Sequence, residues 1–269
     1  MKKFVVFGNP IAHSRSPEIH RMFAQQFGEQ LSYERQLSTE SDFAKDVGAL
    51  QQEGFIGCNV TLPFKELAFQ LADEVSQRAR IAGAANTLSL FRDKIVADNT
   101  DGQGLVGDLQ LSVDLAAKHV LLLGAGGAAR GCIYPLLQAG VEKISIWNRT
   151  REKVASLANE LCAYGNVVAV SNLELAATKA NIVVNSTSSS VNGSVPDIAP
   201  EVFGDAELVY DMFYQQSKTS FLEFAEKQNN EALLKDGLGM LVGQAAESYR
   251  IWHGQQPDIN SVVDVLRKS

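Results

Sequence analysis

The sequence predicts an α/β protein with two domains on largely parallel sheets, and three observations lead to that expectation. Short apolar runs bounded by turn residues recur at 4–7, 56–60, 119–123, 143–147, 167–170, 181–185 and 207–211. Stretches of helical length and mixed polarity separate most of them, as at 17–28, 40–52, 151–163 and 219–228. A glycine-rich turn follows the run at 119–123. Strand-length and helix-length segments in alternation read as βα units, whose crossover helices leave successive strands parallel.

A chain of 269 residues, 45% hydrophobic and 20% charged, buries two cores of ordinary domain size without covalent staples. Its three cysteines, Cys58, Cys132 and Cys162, are odd in number and widely spaced. They match neither a disulfide scaffold nor a Cys-x-x-Cys site, and a reducing cytosol is expected. The formal net charge of -7 argues against a general nucleic-acid surface, which needs clustered Lys and Arg. The run Phe4 to Phe7 ends at Gly8-Asn9-Pro10, too early for a signal peptide, and no segment reaches membrane-spanning length. The four histidines, His13, His20, His119 and His253, lack metal-ligand spacing, and no metal is expected.

The segment 87–98 (TLSLFRDKIVAD) breaks the βα rhythm, since two short strands flank Arg92-Asp93 as in a hairpin. It marks the outer edge of a first domain, with a boundary near Asp101. The helical patterns Leu238 to Trp252 and Asn260 to Lys268 follow the last strand and are free to return to the first domain. The expected organisation is a first domain of 1–101 with 238–269, a second of 102–237, and a ligand cleft between them.

The strand His119 to Leu123 runs into Gly124-Ala125-Gly126-Gly127-Ala128-Ala129, a G-x-G-x-x-A fingerprint opening a helix. Gly124 permits the tight turn, Gly126 lets backbone approach a pyrophosphate, and Ala129 allows close helix-on-strand packing; the helix N-terminus attracts the anion. This predicts a Rossmann-like dinucleotide-binding domain. Pro135 falls within the helix, where a kink or an early break is expected. The next strand, Lys143 to Trp147, ends where NAD enzymes place a ribose-binding acid, about 20 residues after the glycines. Here stand Asn148, Arg149, Thr150, Arg151 and Lys153. Arg149 offers a planar fork and Thr150 a hydroxyl to a 2'-phosphate, so NADP is expected over NAD. Thr150 is equally placed to be a helix N-cap, but cations in a first turn oppose the helix dipole unless an anion binds there.

In His13-Ser14-Arg15-Ser16-Pro17 the two serines face the same way in an extended loop and both hydroxyls can meet one carboxylate. Ser16-Pro17 reads equally well as an N-cap with proline at N1. In Asn59-Val60-Thr61-Leu62-Pro63-Phe64-Lys65 a buried strand leads to a helix that Pro63 can open. Lys65 then lies in the first turn, where the dipole disfavours an ammonium. Asp98-Asn99-Thr100-Asp101-Gly102 at the domain boundary supplies either caps or an acid. A lysine, an aspartate and a nicotinamide together are the parts for carbonyl reduction.

The blocks HSRSP, NVTLPFK, AGAANTL, NTDGQG, GAGGAAR, NRT and DGLGMLVGQA, in this order, resemble the shikimate dehydrogenase family across nearly the whole chain. The resemblance implies an N-terminal α/β substrate domain, a Rossmann-like NADP domain and returning C-terminal helices. It implies the interconversion of 3-dehydroshikimate and shikimate in aromatic amino-acid biosynthesis, in the cytoplasm, by a monomer or homodimer. It places Ser14 and Ser16 on the substrate carboxylate, and Asn59, Thr61, Asn86, Asp101, Tyr214 and Gln244 on its hydroxyls and carbonyl. Lys65 and Asp101 form the implied catalytic pair. Gly124, Ala125, Gly126, Gly127 and Ala128 are implied at the pyrophosphate, Asn148, Arg149, Thr150 and Lys153 at the adenosine phosphate, and Thr187, Ser188, Met212 and Gly237 near the cofactor. Lys153 stands where the family commonly has arginine, Tyr214-Gln215-Gln216 lacks a common proline, and Ser186 replaces a common alanine. Two other readings fit the same residues: a quinate/shikimate dehydrogenase accepting NAD, and a non-catalytic NADP-binding regulator.

Overall fold

The computed structural model describes residues 1–268. The chain divides into two compact units, Met1–Gly104 together with the segment from Leu241 onward, and Leu105–Met240. It is a mixed α/β protein with one six-stranded sheet in each unit.

The first unit opens with β1 (Lys2–Gly8), α1 (Ser16–Gln26), β2 (Leu31–Leu37), α2 (Phe43–Gln52) and β3 (Gly57–Val60). There follow α3 (Lys65–Leu71), β4 (Glu74–Val75), α4 (Gln77–Ala82), β5 (Thr87–Leu90) and β6 (Ile95–Asp98). The sheet order is β2-β1-β3-β5-β6-β4. β1 pairs in parallel with β2 and β3, while β5 lies antiparallel between β3 and β6. The 87–98 hairpin therefore exists, with Thr87 opposite Asp98 and Leu90 opposite Ile95. It does not form the sheet's edge, as expected, because β4 pairs outside β6. Two residues of strand carry too little hydrophobic pattern to be seen in sequence. β2 was missed for a related reason: among its seven residues only Leu31 and Tyr33 are buried, as suits an edge strand.

Side chains alternate across β1. Val5 and Phe7 join Phe43, Cys58, Phe64 and Leu88 on one face, where Phe43 stacks on Phe64 with ring centroids 5.1 Å apart. Phe4, on the other face, stacks on Trp252 at 4.8 Å. Each such fully buried ring contributes about 2–3 kcal/mol of transfer free energy.

The second unit is built from α5 (Asp101–Gln110), which starts in the first, then β7 (His119–Leu123), α6 (Gly127–Gln138), β8 (Lys143–Trp147) and α7 (Arg151–Leu161). It continues with β9 (Val167–Ala169), α8 (Asn172–Leu175), β10 (Ile182–Asn185), β11 (Leu208–Asp211), α9 (Ser220–Gln228) and β12 (Leu233–Asp236). The chain ends with α10 (Leu238–His253) and α11 (Ile259–Arg267). All strands are parallel in the order β12-β11-β10-β7-β8-β9, a doubly wound Rossmann-like sheet whose order reverses between β7 and β10. Helices covering both faces explain why β7 and β10 read as unbroken apolar runs. β12 went unseen because it is a half-exposed edge strand of four residues.

Of the kink or early break expected at Pro135, the break does not occur. The helix continues to Gln138, and Ala139 N–H returns to the Pro135 carbonyl at 3.0 Å. Only one ladder bond is lost, and the burial of Cys132, Ile133 and Leu136 holds the turn against the sheet. Among the described residues no helix is long and apolar enough to cross a membrane. No group of three or more His, Cys, Asp or Glu side chains among them is arranged to hold a metal ion.

Candidate active site

In the first unit the site begins at the loop after β1. A Cβ on Gly8 would lie 2.6 Å from Cγ2 of Thr61, so only glycine lets this loop approach the end of β3. Ser14 and Ser16 then bring their hydroxyl oxygens within 3.3 Å of each other. Arg35 of β2 fixes the loop through two bonds to the Ser14 carbonyl, at 2.9 and 2.6 Å. Ser16 is not the N-cap of α1: it lies in the first turn, Arg15 holds the cap position, and no side-chain cap bond forms. The capping alternative thus falls away, because the helix starts one residue earlier than Pro17 at N1 requires.

Lys65 is the first residue of α3 and meets Asp101, the first residue of α5. Its Nζ donates to Asp101 Oδ2 at 2.6 Å, and Asn86 Nδ2 donates to the other oxygen, Oδ1, at 2.8 Å. The turn carrying Asp101 is rigid. Asn99 Oδ1 accepts the Asp101 N–H at 3.1 Å, and Asn99 Nδ2 donates to the Ala84 carbonyl at 3.0 Å. Just upstream, Arg78 forks onto Asp98 at 2.6 and 2.9 Å and reaches Glu247 of α10 at 2.7 Å. That network ties α10 to β6 and places Gln244, whose Oε1 accepts from Asn86 Nδ2 at 3.2 Å.

Asn59 is engaged at both ends of its amide. Its Oδ1 accepts from the Tyr33 hydroxyl at 2.6 Å, and its Nδ2 faces the Asn86 carbonyl, Thr87 Oγ1 and Ser248 Oγ at 3.0, 3.2 and 3.0 Å. Tyr33, Thr87 and Ser248 were not picked out from sequence, where buried hydroxyls on strands and helices look like ordinary core residues.

Tyr214, Met212 and Gly237 belong to the second unit. Tyr214 lies half-buried in the loop after β11. Met212 and Gly237 are neighbours, because a Cβ on Gly237 would fall 2.0 Å from the Met212 carbonyl oxygen.

A cavity of about 720 Å³ opens at the carboxyl ends of β7, β8 and β10, lined by Gly124, Ala125, Gly126, Asn148, Arg149, Thr150, Lys153, Thr187 and Ser188 among others. It lies at the point where the strand order reverses, the usual ligand position of such sheets. Gly124 has φ +114°, and a Cβ there would sit 2.3 Å from Ser186 Oγ. Beyond Gly126, by contrast, a Cβ would meet nothing within 4 Å. Gly127 and Ala128 are exposed in the first turn of α6 and do not line the cavity. Thr150 occupies the N-cap position of α7, yet its side chain makes no cap bond.

The serine-rich rim of this cavity is held from beneath by Asp211, fully buried at the end of β11. Its carboxylate accepts from Asn185 Nδ2, Ser190 Oγ, Thr219 Oγ1 and the Phe213 N–H at 3.0, 2.6, 2.7 and 3.2 Å. Burial raises its pKa, and these four donors oppose the rise. Asn185 Oδ1 in turn accepts from the Thr187 hydroxyl at 2.7 Å. An acid ending the apolar run Leu208-Val209-Tyr210 was the available signal for this residue.

Comparison with known proteins identifies the family. Residues 6–88 match the family model "Shikimate dehydrogenase substrate binding domain", 108–193 match "Shikimate / quinate 5-dehydrogenase", and 237–267 match "Shikimate 5'-dehydrogenase C-terminal domain". Shikimate dehydrogenase (NADP(+)) of Pseudoalteromonas atlantica is 46% identical over 270 residues, covering 100% of this chain and 99% of that protein. The crystal structure of an Ael1 enzyme from Pseudomonas putida superposes with a TM-score of 0.94 at 42% identity, over 99% of this chain and 98% of that one. Shikimate 5-dehydrogenase from Thermus thermophilus, solved in complex with NADP(H) and shikimate, has a TM-score of 0.90 at 31% identity, over 100% and 99% of the two chains. With identity of this level along its whole length, the chain belongs to the shikimate dehydrogenase family.

Proposed function

We propose that this protein interconverts 3-dehydroshikimate and shikimate with NADP(H), in the cytoplasm, as a step toward aromatic amino acids. The observation that carries the reading is the Lys65–Asp101 pair at 2.6 Å, with Asn86 on the second carboxylate oxygen. An ammonium held by hydrogen bonds beside an open polar surface is a positioned acid for a carbonyl oxygen. The first unit is the substrate domain and the second the NADP domain.

Ser14 and Ser16 bind the substrate carboxylate through their paired hydroxyls. Thr61, Asn86 and Gln244 address its hydroxyls and carbonyl. Lys65, as ammonium, gives its proton to the oxygen that becomes the alkoxide; in the reverse direction it takes that proton back. Asp101 orients Lys65 and hydrogen-bonds the reacting hydroxyl. Oxidation of the alcohol releases a proton and is favoured as pH rises.

The cavity in the second unit fits a phosphorylated dinucleotide. Its glycine turn leaves open space beyond Gly126, Arg149 and Lys153 supply positive charge, and Thr150 has a hydroxyl to donate. No carboxylate stands at Asn148, Arg149 or Thr150, immediately after β8, to repel a 2'-phosphate. Gly124 to Gly126 hold the pyrophosphate, with the first turn of α6 at Gly127 and Ala128 beside them, Asn148 to Lys153 hold the adenosine phosphate, and Thr187, Ser188, Met212 and Gly237 the remainder. Bound NADP(H) supplies or accepts the hydride.

The test crosses shikimate and quinate with NADP and NAD, following the absorbance of the reduced nicotinamide. The largest kcat/KM is expected for shikimate with NADP. A higher value with NAD overturns the Arg149 argument, a higher value with quinate overturns the substrate assignment, and NADPH binding without turnover marks a regulator. Sedimentation of the purified protein distinguishes the monomer from the homodimer.

A further inference from the structure

We propose that Thr87 is a positioning residue that sets the rotation of the Asn86 amide and, through it, the Lys65–Asp101 pair. The inference rests on the reading of that pair as the proton-transfer site. It starts from a question of orientation, because an amide side chain can present either its oxygen or its nitrogen to Asp101. Only the nitrogen stabilises the carboxylate.

Donors gather on the amide oxygen, the Thr100 hydroxyl at 3.1 Å among them. The Thr87 hydroxyl donates to Asn86 Oδ1 at 2.9 Å, and the Thr100 N–H donates to the same oxygen at 2.9 Å. The Asn86 NH2 group is thereby turned toward Asp101 Oδ1 at 2.8 Å and Gln244 Oε1 at 3.2 Å. Rotating the amide by half a turn would set its NH2 against the Thr100 N–H and remove a charge-assisted bond from Asp101.

A threonine hydroxyl has one proton to give, and here its use is determined from the far side. Thr87 Oγ1 faces Asn59 Nδ2 at 3.2 Å and Ser248 Oγ at 2.8 Å. Asn59 has only N–H groups on that end, because the Tyr33 hydroxyl donates into its Oδ1 at 2.6 Å. With Asn59 or Ser248 donating into its oxygen, Thr87 sends its own proton to Asn86 Oδ1. Donation runs in one direction from Tyr33 through Asn59, Thr87 and Asn86 to Asp101, whose second oxygen takes Lys65. The five residues from Tyr33 to Asp101 are each no more than 8% exposed. In such a low-dielectric setting each bond polarises the next, and an unmade one is costly.

Asn59 and Thr87 thus act through other residues. The test compares the parent with Thr87→Val, which keeps the branched shape and lacks the O–H, and with Thr87→Ser, which regains it. In Thr87→Val kcat for shikimate oxidation is expected to fall by about tenfold or more, with KM for NADP within about twofold. Thr87→Ser restores kcat. The side-chain amide protons of Asn86, followed by NMR without turnover, are expected to be protected in the parent and in Thr87→Ser, and to exchange at least about tenfold faster in Thr87→Val. Should Thr87→Val fail to fold, Tyr33→Phe releases the Asn59 amide while keeping its ring packed, and the same losses are expected.

The proposal is overturned by a Thr87→Val enzyme whose kcat stays within about twofold of the parent. It is equally overturned by a loss that Thr87→Ser does not restore, or by a loss with the Asn86 amide protons still protected. A parent that never oxidises shikimate refutes the functional reading instead, and the amide exchange then decides the positioning role by itself.

Discussion

Lys65 Nζ and Asp101 Oδ2 stand 2.6 Å apart although 36 positions separate them in the chain. Each opens a helix, α3 and α5, so both polar groups project from first turns. The two oxygens of Asp101 are divided between Lys65 and Asn86, which leaves the ammonium oriented rather than simply neutralised.

Replacing Lys65 by Met or Ala is expected to lower kcat by about 10² or more while NADPH binding is retained. Steady-state turnover alongside cofactor fluorescence checks this. Activity within about tenfold of the parent would refute proton transfer by Lys65.

Arg149→Ala is expected to raise KM for NADP by at least about tenfold and leave that for NAD within about threefold, because only the 2'-phosphate loses its planar partner. The ratio of kcat/KM for the two cofactors is the measurement. An equal rise for both would assign Arg149 to a part of the dinucleotide they share.

Gly239→Ala is expected to cost about 2–3 kcal/mol of folding stability by overpacking. Its Cβ would lie 2.2 Å from the carboxylate of Asp108. That carboxylate cannot easily retreat, since Tyr210 OH donates to it at 2.7 Å and Lys235 Nζ at 2.6 Å. Urea denaturation reads the loss, and an unchanged midpoint contradicts the packing argument.

Stability is expected to decline as pH falls below 6.5. His20 is wholly buried, stacked on Tyr33, and burial with repulsion from His253 lowers its pKa from 6.5 to about 3, against the opposing bond to Asn59. The unfolded chain takes up a proton below 6.5 while the folded one does not, so stability present above 6.5 is lost progressively toward pH 3. One such group contributes a slope of up to about 1.4 kcal/mol per pH unit. His253, also lowered by burial and then by Lys2, adds in the same sense. Urea midpoints for the parent and His20→Phe between neutral and acid pH check the claim. A slope as steep in His20→Phe as in the parent counts against it.

Much of the fold was legible in the sequence because strands and helices buried on known faces impose periods of two and 3.6 on hydrophobicity. The runs at 119–123 and 143–147 became β7 and β8, and the hairpin at 87–98 formed in register. What escaped were β2, β4 and β12, which lie at sheet edges or are too short, where one face or more is wet and the pattern fades. Of the two effects expected at Pro135, a kink or a break, the break did not occur, and α6 runs on to Gln138.

In the site, the glycine turn at Gly124 and the cations after β8 were legible from local chemistry: a backbone conformation only glycine adopts readily, and a missing acid. Ser14 and Ser16 were legible as a pair beside a helix start, but the cap position fell on Arg15 rather than Ser16. Thr87, Ser248 and Asp211 gave little sign of their roles.

The sequence by itself determined the alternation of elements, the glycine turn after β7 and the types of side chain available for chemistry, because each of these is written in neighbours along the chain. The tertiary structure alone decided that Asn86 reaches Asp101, that Asn59 meets Tyr33, Asn86, Thr87 and Ser248, and that Asp211 anchors the cavity rim. Those bonds join residues brought side by side by strand order and register, and hydrogen bonding is short-ranged and directional. A pattern along one chain has no knowledge of which strands become neighbours.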